Sequence, residues 1–342
     1  MQSQSRRPST LLAVVALLCV VSVLAGCGGE SSAPPPPSTS TQAASPPTSQ
    51  PESKGLVKRT APDGRGAVRP LAAPTGCTST VTDPQNLKQV VAGAQPGNTI
   101  CLIGDLSDAK LSVKTSGTQQ APIKFVGDGN TEVKGISVRA NWVVISGLNL
   151  VEPKAPGVSL DGNNIVLTNT TVDSPHEDDG DGVRFWGTNL TISHNTIAHT
   201  RNKKAHADCM QTFATDEDSP ASQHVVIDSN RCEDIANTCL IMEGPHSLAG
   251  DGSGIGVTSD VLYNNNYCDN RADQALQIDD VQNLRITNNE IAGDINHAFA
   301  LQNKTTGAKI SGNKLNSKVR FEVGMDASSL PGYSGPPSGG AP

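Results

Sequence analysis

One short phrase recurs along most of this chain. A few residues alternate apolar and polar, a polar step follows, often Asn, and another apolar residue closes it. The copies centre on Phe125, Ile145, Leu167, Ile192, Ile227, Tyr263, Ile286 and Ile310, at a period in the low twenties. The clearest read Asn-Leu-Thr-Ile-Ser-His-Asn-Thr-Ile at 189–197 and Asn-Leu-Arg-Ile-Thr-Asn-Asn-Glu-Ile at 283–291. Strand-like alternation at this period describes a solenoid of β coils, because each coil can bury its apolar side only against its neighbours. The two intervals flanking Ile227 are longer. They carry insertions at 201–206 and 244–258.

The ends differ in character. Arg6 and Arg7 precede an apolar run at 11–24, and Leu24-Ala25-Gly26-Cys27 follows it. This is the layout of an export signal over 1–26, with an apolar run too short to span a bilayer. The tetrapeptide resembles a bacterial lipobox, which implies cleavage before Cys27 and lipidation of its sulfur. The protein is thus expected outside the cytoplasm, lipid-anchored on the outer side of the cytoplasmic membrane or at the cell surface. Residues 27–75 are rich in Pro, Ser and Thr and read as a disordered tether, as does the tail 326–342. The stretch 76–325 is the expected folded domain, a single elongated unit and a monomer. A net charge of −7 offers no basic stripe for a nucleic acid.

The repeats, once aligned, act as a coordinate system. Asp83-Pro84 starts a short helix with Leu87, Val90 and Val91 on one side, suited to covering the first open coil. Inward pairs follow on a second strand of each coil: Val158/Leu160, Val183/Phe185, Met210/Thr212, Leu240/Met242, Leu276/Ile278 and Phe299/Leu301. Alternation turns the intervening residues outward. One outward column reads Ser159, Arg184, Gln211, Ile241, Gln277, Ala300. The next reads Asp161, Trp186, Phe213, Glu243, Asp279, Gln302. Trp186 and Phe213, side by side among Arg184, Gln211, Gln277, Glu243 and Asp279, suit a sugar ring with its apolar faces and hydroxyl edges.

Of the eight cysteines, Cys19 leaves with the signal and Cys27 takes lipid. The remaining six are even in number, in an oxidising setting. Cys209 and Cys239 share one column and Cys232 and Cys268 another, which predicts Cys209–Cys239 and Cys232–Cys268, leaving Cys77–Cys101.

The Pro-Gly-Asn-Thr-Ile-Cys-Leu opening at 96–102, the Ala-Pro-Ile-Lys-Phe segment at 121–125 and the Asn-rich coils resemble the right-handed parallel β-helix superfamily of pectate lyases and related polysaccharide enzymes. The resemblance covers about 77–317. It implies an all-β, right-handed parallel β-helix with a short N-terminal capping helix, acting on or binding a polysaccharide. No complete pectate-lyase catalytic signature is present, so fold alone leaves the reaction open.

The insertion at 201–206 brings cations and His206 just ahead of Asp208, one coil after the acidic loop His-Glu-Asp-Asp-Gly-Asp-Gly at 176–182. Eliminative cleavage of a uronic-acid polymer needs a base for the proton alpha to the carboxylate, and positive charge for the resulting anion. Lys204 or His206 is the candidate base, with Asp208 beside it, and Arg184 the candidate carboxylate clamp. Asp178, Asp179, Asp181 and Asp208 are candidate oxygen ligands for Ca2+. Two other readings stay open. Glu243 with Asp279 and Asp280 offers the paired carboxylates of a glycoside hydrolase. A lipid-tethered adhesive solenoid would use the same face without turnover.

Overall fold

The computed structural model describes residues 63–68, 71–202, 206–248 and 252–342. The signal segment, Cys27, most of the tether and Lys204 lie outside the described residues. Within them the strands stack in parallel, each paired with the strands one coil before and after it. The expected all-β, right-handed parallel β-helix is observed. Three ribbons run its length. The first passes from Asp105–Val113 through Val158–Asp161, Val183–Trp186, Met210–Phe213, Leu240–Glu243, Gln274–Asp279 and His297–Gln302 to Phe321–Met325. The second includes Thr188–Ser193, Gln223–Asp228 and Thr258–Asn264, and the third Thr196–Ala198, Arg231–Ile235 and Tyr267–Asn270.

The repeat centres form one registered interior column on the second ribbon: Phe125, Ile145, Leu167, Ile192, Ile227, Tyr263, Ile286, Ile310. All are buried. Each such side chain contributes roughly 1.5–3 kcal/mol on burial. The inward pairs of the first ribbon are likewise buried and in register. At the front the helix Pro84–Ala92 buries Leu87 and Val91, and Asp83 caps it by accepting from the Gln85 amide at 2.9 Å.

The polar step of the repeat has its own function inside the fold. Asn195, Asn230, Asn266, Asn289 and Asn313 stack at the corner between the second and third ribbons. Each of the last four accepts, through Oδ1, the backbone and side-chain amides of the one before it, and each side-chain amide also donates to a carbonyl of the preceding coil. Asn is required because the corner's inward-facing amides and carbonyls need a donor and an acceptor on one short side chain.

Two expectations are corrected. The disulfides are Cys77–Cys101, as predicted, but also Cys209–Cys232 and Cys239–Cys268, not Cys209–Cys239 and Cys232–Cys268. The columns themselves are right: Cys232 and Cys268 are registered neighbours. Side chains stacked in one column point the same way, so their sulfurs stay apart. Those on the two strands flanking a corner converge, and their Cα atoms stand 5.8 and 6.0 Å apart.

The segments expected to be disordered are also ordered where described. Residues 63–68 form a strap across the asparagine corner. Arg65 bonds Glu290 and Asn265, the Gly66 amide donates to the Ser229 carbonyl, Ala67 N to Thr196 Oγ1, and Val68 N to Asn169 Oδ1. Leu71 follows, against Gly129 and Gly147. In the tail, Ser334 and 339–340 pair with the strands Lys309–Ser311 and Phe321–Met325, covering their open edges.

Candidate functional site

The two outward columns of the first ribbon are in the register the alternation predicts, although Gln211, Ile241, Ala300 and Asp279 are buried in them. Ser112, Ser137, Ser159, Arg184, Gln211, Ile241, Gln277 and Ala300 are successive registered partners. Beside them Asp161 pairs with Trp186, and Phe213, Glu243, Asp279 and Gln302 continue the second column. Trp186 and Phe213 meet with ring centroids 5.0 Å apart and planes at 85°. They form an edge-on notch rather than a flat platform, because Trp186 Nε1 donates to the Phe213 carbonyl at 2.8 Å and turns its ring.

Arg184 lies beside this notch, its guanidinium carbon 5.6 Å from the Phe213 ring centre. It is mostly buried and held from below by two carboxylates. Nε donates to Asp181 Oδ2 at 2.8 Å, and Nη2 contacts both Asp181 and Asp179. Asp181 is fully buried, and its Oδ1 accepts the backbone amide of Asp208 on the next coil at 2.9 Å. Asp208 repeats the device one coil on. Its Oδ1 accepts from Thr238 N, Thr238 Oγ1 and Asn237 Nδ2. Two carboxylates are thereby stacked at the turn where alternation no longer fixes direction. Burial, and then the neighbouring Asp208 carboxylate, push the Asp181 carboxyl up to about 6 against the pull of Arg184.

His206 stands over this pair, half exposed, with Nδ1 3.4 Å from Asp208 Oδ2. Its contact with Asp208 raises the imidazole above its ordinary value, against partial burial, with Asp181 and Asp179 adding to the effect. Asp208 Oδ2 itself is buried and takes no well-directed hydrogen bond, and neither does Gln211 Oε1.

The predicted residues separate into three groups. Arg184, Asp179, Asp181, Asp208, His206, Gln211, Trp186 and Phe213 come together, while Lys204 lies outside the described residues. Asp178 turns away to Lys154, 3.6 Å off. Among the described residues no three acidic or histidine side chains converge as a ready-made metal set. Asp208 is fully buried, with Oδ2 3.4 Å from His206 Nδ1. Gln277 is tied to Gln274 at 3.0 Å.

The carboxylates of the hydrolase reading are engaged in structure. Asp279 is 1% exposed, and accepts from Leu248 N, Gln302 Nε2 and Asn303 Nδ2. Asp280 accepts from His246 N, His246 Nδ1 and Gln282 Nε2. Together they pin the start of the 244–258 insertion back on the coils, so Asp279 does not face a ligand as its column predicts. Asn237 and Thr238, which fix Asp208, were not singled out from the sequence. Thr238 stands two residues before the inward Leu240, as Asp181 and Asp208 do before Val183 and Met210, and that spacing was the signal for it.

A stack of three-ribbon parallel coils with a polar and aromatic outer column defines the parallel β-helix class. The chain belongs to the right handed beta helix family, whose profile matches residues 134–328. No curated protein sequence matches it. Among solved structures it is similar to the PL6 family alginate lyase AlyGC, at TM-score 0.53 and 17% identity over 72% of this chain and 40% of that one. It is also similar to a mannuronic acid specific polysaccharide family 6 lyase from human gut microbiota, at TM-score 0.53 and 15% identity over 69% of this chain and 59% of that one. Pectate lyase Pel9A matches at TM-score 0.51 and 12% identity, over 78% of this chain and 80% of that one. The chain thus spans only 40% and 59% of the length of the first two structures, and the likeness is one of fold.

Proposed function

We propose that this protein is an extracytoplasmic polysaccharide lyase that cleaves a uronic-acid-containing polymer by β-elimination, held at a membrane surface through a lipid on Cys27. The observation that carries the reading is Arg184 fixed between Asp179 and Asp181 at the Trp186/Phe213 notch, with His206 over the same carboxylates. Three disulfides suit an oxidising compartment. The alginate and pectate lyases named above share the fold and are consistent with the substrate class.

In this reading the Arg184 guanidinium meets the uronate carboxylate and lowers the cost of the charge that develops on it. Asp208 Oδ2, 3.4 Å from His206 Nδ1, favours a proton on that nitrogen, which leaves Nε2 as the base. Nε2 takes the proton alpha to the carboxylate, and those electrons form the carbon–carbon double bond. The bond to the bridging oxygen at the adjacent carbon breaks, and that oxygen leaves with a proton from solvent. Trp186 and Phe213 contact the sugar's apolar edge. Of the four acids predicted as Ca2+ ligands, Asp178 is turned to Lys154, Asp179 and Asp181 hold Arg184, and Asp208 Oδ2 lies against His206. That leaves too few free oxygens among the described residues for a Ca2+ ion, which takes about six to eight, and no step of the reaction is routed through one.

The test is incubation with pectate and alginate, with Ca2+ or with chelator. The expected result is rising ultraviolet absorbance of an unsaturated product, lost in His206→Ala at unchanged melting temperature, and in Arg184→Ala with a lowered one because Asp181 loses its buried partner. Reducing ends without that absorbance would establish a hydrolase, and binding without either product an adhesive solenoid.

A further inference from the structure

At the front of the first ribbon, before the acidic cluster begins, the helix Pro84–Ala92 and the strand Asp105–Val113 enclose a groove of about 550 Å³. Lys88, Lys110 and Lys114 wall it, Val91, Ala92 and Ala109 form its apolar surface, and Ser112 and Thr115 complete it. None of the lining side chains is acidic, in a protein whose net charge is −7. The three lysines are exposed and form no ion pair among the described residues. The Lys110 stem lies along Gly135, 3.8 Å from where a Cβ would stand, so the ammonium reaches across a neighbour with no side chain.

The groove is continuous with the candidate site. Ser112 is registered with Ser137, Ser137 with Ser159, and Ser159 with Arg184. Three coil spacings, about 14 Å, separate Ser112 from Arg184 along the axis, and the side chains between them are hydroxyls. Alongside, Arg139 is exposed and bound only loosely to Asp161 at 3.8 Å. Charge therefore changes sign along one face, cationic at the capped end and acidic beneath Arg184. A polymer bearing a carboxylate on successive sugars has the complementary charge for the first part. It needs Arg184 or a cation only at the second.

We infer that the Lys88/Lys110/Lys114 groove is a remote subsite for the carboxylates of an acidic polysaccharide, which fixes a chain across the serine column toward Arg184. The inference rests on the proposed lyase reading for its substrate class, but not on turnover. Exposed ion pairs contribute little singly, so the three lysines together give roughly a tenfold change in affinity.

Titration calorimetry with oligogalacturonates and alginate oligomers tests it, comparing trimer with hexamer. In Lys88→Gln/Lys110→Gln/Lys114→Gln the hexamer of the preferred series should bind about tenfold more weakly, with a shallower loss on adding salt, and the trimer within about twofold of wild type. Lys110→Glu alone should act in the same direction, and melting temperatures should hold, since the lysines are exposed. Unchanged hexamer affinity in the triple variant overturns the subsite, even if the wild type makes unsaturated product. Lysine-dependent hexamer binding without such product supports the subsite and overturns the lyase reading instead.

Discussion

Replacing Asp181 with Asn should change how stability depends on pH. The folded protein holds this carboxyl at about 6, against 3.8 for an ordinary aspartate. Between these values the folded state retains a proton that the unfolded chain has released. Stability is therefore fully present below the unfolded value and lost as pH rises through the folded one. A shift of about two units corresponds to about 3 kcal/mol. Asp105, Asp128, Asp234 and Asp326 are shifted the other way and act in the opposite sense at low pH, equally in both proteins. Guanidinium unfolding, followed by the fluorescence of Trp142 and Trp186, gives the difference. From about pH 3 to about pH 7 the wild type should lose about 3 kcal/mol relative to Asp181→Asn, which retains an oxygen for the Asp208 amide. Parallel curves for the two proteins would refute the claim that Asp181 is buried beside a second carboxylate.

Other substitutions test neighbouring parts of the structure. Asn230→Ala removes four side-chain hydrogen bonds at a fully buried corner and should cost about 4 kcal/mol in the same unfolding assay; a loss under about 1 kcal/mol would mean the ladder is not structural. If His206 is the base, kcat/KM on a uronic-acid polymer should rise with pH through a midpoint above 6.5, and Asp208→Asn should lower that midpoint, because the carboxylate holds the proton on the ring. Peptide mapping without reduction should recover Cys209 linked to Cys232 and Cys239 to Cys268. Finally, Asp280→Ala should leave the coils folded but make the 244–258 insertion sensitive to protease, since His246 and the turn below it lose their anchor.

What the sequence disclosed depended on whether strand alternation governed the position. Arg184, Gln211 and Gln277 could be placed in one outward column because they sit mid-strand, where a slip by one residue would turn Val183 and Phe185 out of the core. At the corners that constraint ends. The columns of Cys209 and Cys232 were legible, but not that their side chains converge across the bend. Asp181 and Asp208 were found, but not that burial and backbone amides make them supports for Arg184 and His206. Asp279 sat in a solvent-facing column until the 244–258 insertion folded back over it. The strap and the tail were misread because their few apolar residues, such as Leu71 and Tyr333, follow no strand alternation. Their attachment uses backbone amides and Arg65, which leave no hydrophobic pattern.

The strap has a mechanical consequence. Asp63 to Val68 is bonded at Asn265 and Glu290, then Ser229, then Thr196, then Asn169, so it lies across successive coils along the solenoid axis. A pull on the chain ahead of Asp63, directed along that axis, loads these attachments in shear and together rather than peeling them one by one. The same corner, between the second and third ribbons, faces away from the first. A load entering at Asp63 therefore meets the solenoid on the side opposite the face that carries Arg184.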